Sequence, residues 1–495
     1  MNLGILRISD HLKNSFEVVG VLLAAVIAAL ININPAVNLA TAVILVLLVA
    51  VVLIYPIAAF PVLLIIAPLR TLIATESIIN LPLDIGQITL ALLLITYLIS
   101  RVAQHKSLKL KFSTPLTTSF ILFLGITGLS ALNAISFSGW LAEWLKWLQM
   151  FVIISVITTW IRARDWKWLI FGLALAGVAN SLIGIYEFLG GSGALHLLIN
   201  NRFFRAFGTF GQPNPFGGFM GLVIPIALML MLSYFSRLWI RRKYDLPWLI
   251  SDWLWFAFWG SATLLLLIGI FVSWSRGAWL GLAGSIATMA LIYPRNIRYG
   301  MVAFLIISIF AATLWFSGLL PASIVERLST STQEFFTVED VRGVDITPDN
   351  YAVVERLAHW NAAINMATYA PWFGIGFGNY EVVYDQYRLI NWPEPLGHAH
   401  NYYLNLLAEV GIIGLLGYGK VWQKIMHISL RASRHPDQLA RFAAIGLFGS
   451  WTYLSIHSFF DNLYVNNLFI HLGVMLGVLI LIYNQLDHFE FRESP

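Results

Sequence analysis

Apolar runs of about 20 residues, each long enough to cross a bilayer as a helix, follow one another along almost the whole chain. Candidate spans fall near residues 17–33, 37–54, 57–73, 84–100, 117–134, 141–161, 167–189, 214–235, 253–273, 277–293, 299–318, 401–419, 440–458 and 464–484. The first three are separated by little more than Asn34–Pro35 and Tyr55–Pro56, so the expected count runs from 12 to 14. In hydrocarbon every backbone polar group must find a partner within the protein, and helices do this segment by segment. The fold class is therefore all-α, a polytopic membrane protein. Only 11% of the residues are charged, against roughly 25% in soluble domains. The chain has no cysteine, which excludes disulfides and thiolate metal sites. No small-residue cleavage site follows the first apolar run, so residues 18–33 read as a retained span rather than a signal peptide.

The net charge of +5 reports orientation rather than nucleic-acid binding. With both termini cytoplasmic, the inner segments hold Arg7 and Lys13, the Arg101–Lys111 and Arg162–Lys167 clusters, Arg237–Lys243, Arg295 and Arg298, Lys420–Arg441, and Arg492. The outer segments hold Arg70, Arg202, Arg205, Arg276, Arg327, Arg342, Arg356 and Arg388, and no lysine. Arginine grips phosphate and carboxylate with two parallel donors, so the outer set points weakly to an anionic ligand.

Two outer loops are long. The first, near Gly190–Gly218, ends in R-F-F-R-A-F-G-T-F-G-Q-P-N-P-F-G-G. Its glycines and prolines are expected to prevent a regular helix through residue 218, and non-helical backbone near a membrane survives only when buried or lining a cavity. The second, near Gly318–Asn401, is large enough for a small subdomain. Val353, Leu357, Trp360, Ile364 and Ala367 follow helical spacing and predict an amphipathic helix over 351–369. Tyr380, Val383, Tyr384 and Tyr387 predict another, and P-W-F-G-I-G-F-G-N at 371–379 is a turn-rich link.

At Gly397–Gly419 this loop meets an apolar helix. His398 and His400 stand at the junction. If Asn401 opens the helix, Asn401, Asn405 and Glu409 share one face, while Gly411, Gly414 and Gly417 leave another smooth for a neighbouring helix. A carboxyl such as Glu409 inside an apolar span usually faces the bundle interior. A plainer alternative is a capped helix with two solvated histidines. Arg276, in the tight turn Ser273–Gly277, requires an anion or cavity, or else snorkels to headgroups. Arg356 lies on the expected loop helix. His457, Asp461 and Asn462 occupy the last outer turn, where Asp461 can orient a histidine or hold a hydroxyl.

H-A-H without a nearby third ligand is a weak zinc signal. There is no P-loop, dinucleotide fingerprint or nucleophile elbow, and no pair of catalytic carboxylates of the glycosidase kind. No cofactor is expected. Arginines, one base and no metal suit group transfer from a diphosphate: fixed cations neutralise the leaving group, and a neutral imidazole takes the incoming hydroxyl's proton.

Five stretches resemble the bacterial O-antigen ligase and O-antigen polymerase superfamily, membrane glycosyltransferases that use undecaprenyl-diphosphate-linked glycans. They are G-T-F-G-Q-P-N-P (208–215), S-R-G-A-W (275–279), E-R-L-A-H-W-N-A-A (355–363), P-W-F-G-I-G-F-G-N (371–379) and H-N-Y-Y-L-N-L-L-A-E-V-G-I-I-G (400–414). The resemblance implies that His400 activates the acceptor hydroxyl, with His398 as its partner. It implies that Arg276, Arg205 or Arg202, and Arg356 bind the lipid diphosphate. Asp461, Asn401 and Glu409 are further candidates to orient the site or hold the acceptor. The implied reaction is metal-independent and inverts the anomeric centre. The expected organisation is residues 1–317 as transmembrane helices, 318–400 as a periplasmic subdomain, and 401–495 as the last three helices and a cytoplasmic tail, in a bacterial inner membrane. The reading favoured is an O-antigen ligase that joins glycan to lipid A–core. The alternatives are a polysaccharide polymerase and, in another class, a transporter of bicarbonate or another small anion.

Overall fold

The computed structural model describes residues 55–71, 84–191, 194–199, 202–319, 341–347 and 350–493, with isolated positions between 321 and 329. The two expected spans at 17–33 and 37–54 lie outside the described residues. The other twelve ranges each coincide with an apolar helix: nine are long enough to cross a membrane, and three are shorter. In order these are α1 (Ala59–Ile66, flanked by short 3-10 turns), α2 (Ile85–Ala103), α3 (Thr117–Leu129), α4 (Phe137–Trp160), α5 (Trp166–Tyr186), α6 (Pro213–Lys243), α7 (Ile250–Val272), α8 (Arg276–Ile292) and α9 (Ile297–Phe316). Two loop helices follow, α10 (Tyr351–Tyr369) and α11 (Tyr380–Tyr387), then α12 (Tyr402–Ala432), α13 (Gln438–His457) and α14 (Leu468–Glu493). A two-residue antiparallel pair, β1 (Leu198–Ile199) with β2 (Phe203–Phe204), is the one sheet among the described residues. The protein is an all-α polytopic integral membrane protein.

The bundle is built around α6, α13 and α14, whose apolar windows are 83%, 72% and 89% buried, while α9, at 6%, lies at the periphery. Small residues let the central helices approach closely, as membrane packing without a hydrophobic drive requires. A side chain at Gly221 would run into the Tyr453 ring, and one at Gly446 into the backbone of Pro225 and Ile226.

Three expectations change. Pro213, Pro215, Gly217 and Gly218 are helical, within the first turns of α6. Proline suits a first helical turn, where its missing N–H has no partner to lose, so the irregular backbone ends at Gly211 (φ +71°). The buried face of α10 only partly matches the expected one: Val353 and Ala367 are buried, but Leu357 and Trp360 are half-buried and Ile364 is exposed, while Val354, Ala358, His359, Ala362 and Met366 complete the buried face. Gly411 does not belong to a smooth helical face. It takes φ +65° and ψ −172° and breaks α12; of the three glycines only Gly417 faces a neighbouring helix, α3.

The break at Gly411 is filled by the P-W-F-G-I-G-F-G-N link. Ile375 and Gly376 donate N–H groups to the Ala408 and Glu409 carbonyls, and Ile412 and Ile413 donate to those of Pro371 and Trp372. The carbonyls and amides freed by the break thus find partners, as buried backbone must. The Asn133 side-chain amide donates to the Gly374 carbonyl, and Asn379 bonds the Ser136 backbone at both its N–H and its C=O. The link is thereby tied to α12 and to the α3–α4 connection, which fixes α10 and α11 over one end of the bundle.

Candidate active site

That end collects the N-termini of α6, α8 and α12 and the C-terminus of α13. Asn401 caps α12, its side-chain oxygen accepting the Tyr403 and Leu404 N–H groups. Satisfying orphan amides is the ordinary work of such a residue. The Tyr402 N–H donates to the Ser458 carbonyl at 2.8 Å and draws the start of α12 onto the end of α13. His398 and His400 are thus brought to Asp461. His398 Nε2 lies 3.5 Å and His400 Nδ1 3.7 Å from Asp461 Oδ1. Asp461 is buried and is positioned by its own N–H, which donates to the His457 carbonyl. Burial pushes its carboxyl up, but the facing histidines, His400 foremost, more than offset this and hold it well below its usual range.

The His398 tautomer follows from its partners. Its Nδ1 accepts the His400 backbone N–H at 3.1 Å, so the neutral ring carries its proton on Nε2, towards Asp461. Both His400 ring nitrogens lack a hydrogen-bond partner among the described residues. With Nδ1–H turned to Asp461, the Nε2 lone pair is the basic position. His398, His400 and Asp461 offer ligand atoms within 4.8 Å of one another, a third donor that H-A-H alone did not reveal. The His398 tautomer counts against a metal there: ligation through Nε2 would displace its proton while Nδ1 stays occupied. Two donors remain, fewer than the three protein ligands usual for catalytic zinc.

Behind His400 stands His359, its ring edge-on at 5.6 Å. His359 stacks on Tyr384 at 4.8 Å, and its Nδ1 lies 3.1 Å from the Tyr380 hydroxyl. Burial lowers its pKa to about 3, and the positive charge of His400 and His398 adds to this. Burial also lowers His398 to about 4, against the opposing pull of Asp461. Both imidazoles are therefore neutral in the folded state at pH 6, whereas in the unfolded chain, with pKa near 6.5, about half or more carry a proton. Stability is full above pH 6.5 and falls as pH drops towards 4, because the unfolded chain then binds more protons. Thermal unfolding of the purified protein in detergent should show a midpoint that falls between pH 6.5 and 4, with a smaller fall in His359→Phe. A flat profile would contradict the burial of these rings.

The arginines come from three elements. Arg205 follows β2; its Nε donates to the Ser273 carbonyl and its Nη2 to Asn214 Oδ1. Burial together with the charges of Arg356 and Arg276 brings its pKa down to about 10. Arg205 thus feels the charges of Arg356 and Arg276, with Asp461 the opposing charge. Arg276 opens α8, and Arg356 is anchored on α10 by a bond to the Ala352 carbonyl. Arg202 is exposed, with its guanidinium over the Phe203 ring at 5.0 Å, so of the two alternatives Arg205 is the one directed at the cluster.

Two buried carboxylates hold the loops that carry these groups. Glu187, at the end of α5, accepts the Phe207 and Gly208 N–H groups at 2.8 and 2.7 Å. Asn180 Oδ1 accepts both the N–H and the hydroxyl of Thr209. Hydropathy alone makes this part of α5 plain span; the sequence signal for its role is a carboxylate beside a helix-ending Gly190–Gly191. Glu409 accepts the Tyr380 N–H at 3.1 Å, so its carboxylate lies against the 378–380 turn rather than beside Asp461. Asn405 likewise accepts the Ala399 N–H. The polar stripe on α12 therefore binds the chain's own loop backbone.

Residues 261–419 match the family model described as O-Antigen ligase. Over this segment the chain is similar to the O-antigen ligase family. It contains Arg276, Arg356, His359, His398 and His400, while Arg205, His457 and Asp461 reach the same cluster from outside it. A comparison with curated proteins finds no match. The O-antigen ligase family implies a glycosyltransferase-like enzyme acting on a lipid-linked glycan and an acceptor at a membrane.

Proposed function

We propose that this protein is an O-antigen ligase that transfers glycan from undecaprenyl diphosphate to a lipid A–core acceptor on the periplasmic side of a bacterial inner membrane. The observation that carries the reading is the approach of His398 and His400 to the buried Asp461 at one end of the bundle, where Arg205 feels the charges of Arg276, Arg356 and Asp461. Arg205, Arg276 and Arg356 hold the diphosphate. His400 Nε2 takes the proton from the acceptor hydroxyl, and Asp461 stabilises the imidazolium that results. The acceptor oxygen bonds to the anomeric carbon as the bond from that carbon to the diphosphate oxygen breaks, and the electron pair leaves with the lipid diphosphate. Attack opposite the leaving group inverts the anomeric centre. No step needs a metal, because fixed guanidinium charges stabilise the leaving group.

The anion-transporter alternative calls for broken helices with free backbone at mid-membrane. The break in α12 is instead filled by the protein's own link, which supports the enzyme. A polymerase, whose acceptor is another lipid-linked repeat, would use the same cluster and differ in acceptor. Lipopolysaccharide from a deletion strain separates the two: loss of the whole long-chain glycan with lipid-linked polymer accumulating supports the ligase, whereas a single repeat on the core supports the polymerase.

The orientation that fits the positive-inside pattern puts both termini in the cytoplasm and residues 318–400 outside as one subdomain, with residues 1–317 and 401–495 forming the membrane part and tail. A reporter fused after Gly343 should be active only in its exported form, and an N-terminal tag should resist labelling from the periplasmic side. A Gly343 fusion active only in the cytoplasm would reverse this orientation.

A further inference from the structure

Arg101, Lys106 and Arg162 do more than set orientation: all three line an open cavity of about 370 Å³. It lies at the far end of α4 from the candidate active site. Ser136, just before α4, is bonded to Asn379 of the link, whereas Trp160, the last residue of this 24-residue helix, lines the cavity. At 1.5 Å per residue the two ends are about 35 Å apart, and in the orientation proposed above this end is cytoplasmic. Helix α2 closes with His105 in the left-handed region (φ +51°). The Lys106 N–H returns to the Arg101 carbonyl and the His105 N–H to that of Val102. This helix-ending turn folds the chain back, so that Lys106 shares one space with Arg101. Arg162 comes to it from the end of α4. Each cation is tethered by one bond: Arg101 Nε to the Ser107 carbonyl, Lys106 Nζ to Gln104 Oε1, and Arg162 Nε to Asp165 Oδ2. A guanidinium has five N–H donors and an ammonium three, so each keeps others for a ligand. Among the described residues Asp165 is the one carboxylate in the lining, and three cations face it.

We propose that this cavity binds the phosphate diester of an anionic phospholipid from the adjoining leaflet. Basic pockets between helices at this side of a membrane attract anionic headgroups, and the outer N–H groups of Arg101 and Arg162 suit a pair of phosphate oxygens. A lone phosphate would need only the cations. Here the rest of the wall is apolar: Tyr55 and Pro56 before α1, Ile161, and Trp160 stacked on Tyr97. The Arg101 guanidinium lies over the Trp160 ring at 5.4 Å, so charge and aromatic surface are joined. Tryptophan and tyrosine favour the headgroup level of a bilayer, and this wall suits a glycerol and the start of its acyl chains. The lining is drawn from the turn before α1 and the ends of α2 and α4. A lipid bound there clamps these elements together. The site is remote from the transfer chemistry and independent of the glycan moved.

The test follows the thermal unfolding midpoint of purified, delipidated full-length protein in detergent as phosphatidylglycerol, phosphatidylcholine or inorganic phosphate is added, since a ligand of the folded form raises it. Phosphatidylglycerol should raise the midpoint saturably, and the other two at the same concentration should not. Replacing Arg101 and Arg162 together by glutamine should increase the half-saturating concentration by about tenfold or more. Lys106→Gln should shift it the same way by less; Lys106 is exposed and its ammonium bonds only Gln104, so this variant spares the fold. Arg242→Gln with Lys243→Gln is the control. These exposed cations end α6 at the same end of the bundle, outside the cavity, and their loss should leave the half-saturating concentration unchanged. Four results overturn the inference: no rise with phosphatidylglycerol, an equal rise with phosphatidylcholine, an equal rise with inorganic phosphate, or an equal weakening by the control pair, the mark of lipid attracted by surface charge alone. None of them bears on glycan transfer, so the transferase reading is tested separately.

Discussion

Replacing His400 by alanine should lower glycan transfer by about 10²-fold or more, the usual contribution of a positioned base, while the protein stays folded and keeps its donor affinity. His400 is well placed for this loss to be confined to chemistry. Among the described residues its ring nitrogens face no polar group but Asp461, which His398 Nε2 still approaches at 3.5 Å after truncation, so the buried carboxylate keeps one of its two imidazole partners. Its backbone holds the left-handed φ of +52°, which alanine tolerates less well than glycine, so His400→Gly serves as a second variant. His398→Ala should cost less in rate, because His398 acts on the site through Asp461, but more in stability, because its Nδ1 holds the His400 N–H. Asp461→Asn should fall between the two: the oxygen facing His400 remains, but the charge that stabilises the imidazolium is gone. Initial rates at saturating donor, with donor binding measured separately, decide this. A purified His400→Ala protein that transfers at the normal rate would remove His400 from the chemistry.

Arg205→Ala should weaken donor binding by roughly ten- to a hundredfold, the worth of a charge-assisted hydrogen bond or two, and Arg205→Lys should not restore it. Lysine supplies a point charge, whereas a diphosphate is gripped by the two parallel N–H groups of the guanidinium. Stability should respond differently. Arg205 is crowded by Arg276 and Arg356, the repulsion that helps to lower its pKa. Removing it loses two hydrogen bonds, to Ser273 and Asn214, but relieves like charges held together in a buried place. The unfolding midpoint should therefore move little while donor affinity collapses, as expected of a residue kept for function rather than stability. A bound diphosphate should raise the midpoint of the wild type more than that of Arg205→Ala at the same concentration. Normal donor affinity in Arg205→Ala would detach this arginine from the site.

The membrane helices were legible because hydropathy over about 20 residues depends on little else. Helix α10 was legible in its extent, and its buried face only in part: Val353 and Ala367 are buried as their spacing predicts, but the rest of that face is chosen by α11 and α12 rather than by the helix's own apolar residues. Gly411 shows the limit of spacing rules. A glycine every third residue reads as a smooth face, yet here one glycine is the point where α12 opens to admit a distant link. The choice between Arg202 and Arg205 was likewise invisible, since it is made by the β1–β2 pair and by the Glu187 clamp on the next turn. Asp461 was named with His400 as a candidate. Their approach to 3.7 Å depends on the Tyr402–Ser458 bond between two helix ends, a contact with no local signature.

The most direct test of the central claim is transfer in vesicles containing only the purified protein, a labelled undecaprenyl-diphosphate glycan and lipid A–core, in the presence of a metal chelator. The expected result is label on the lipid A–core with one undecaprenyl diphosphate released per glycan moved, and loss of that product in His400→Ala. The absence of any transfer, together with uptake of bicarbonate or another small anion into the same vesicles, would contradict the account and point to a transporter.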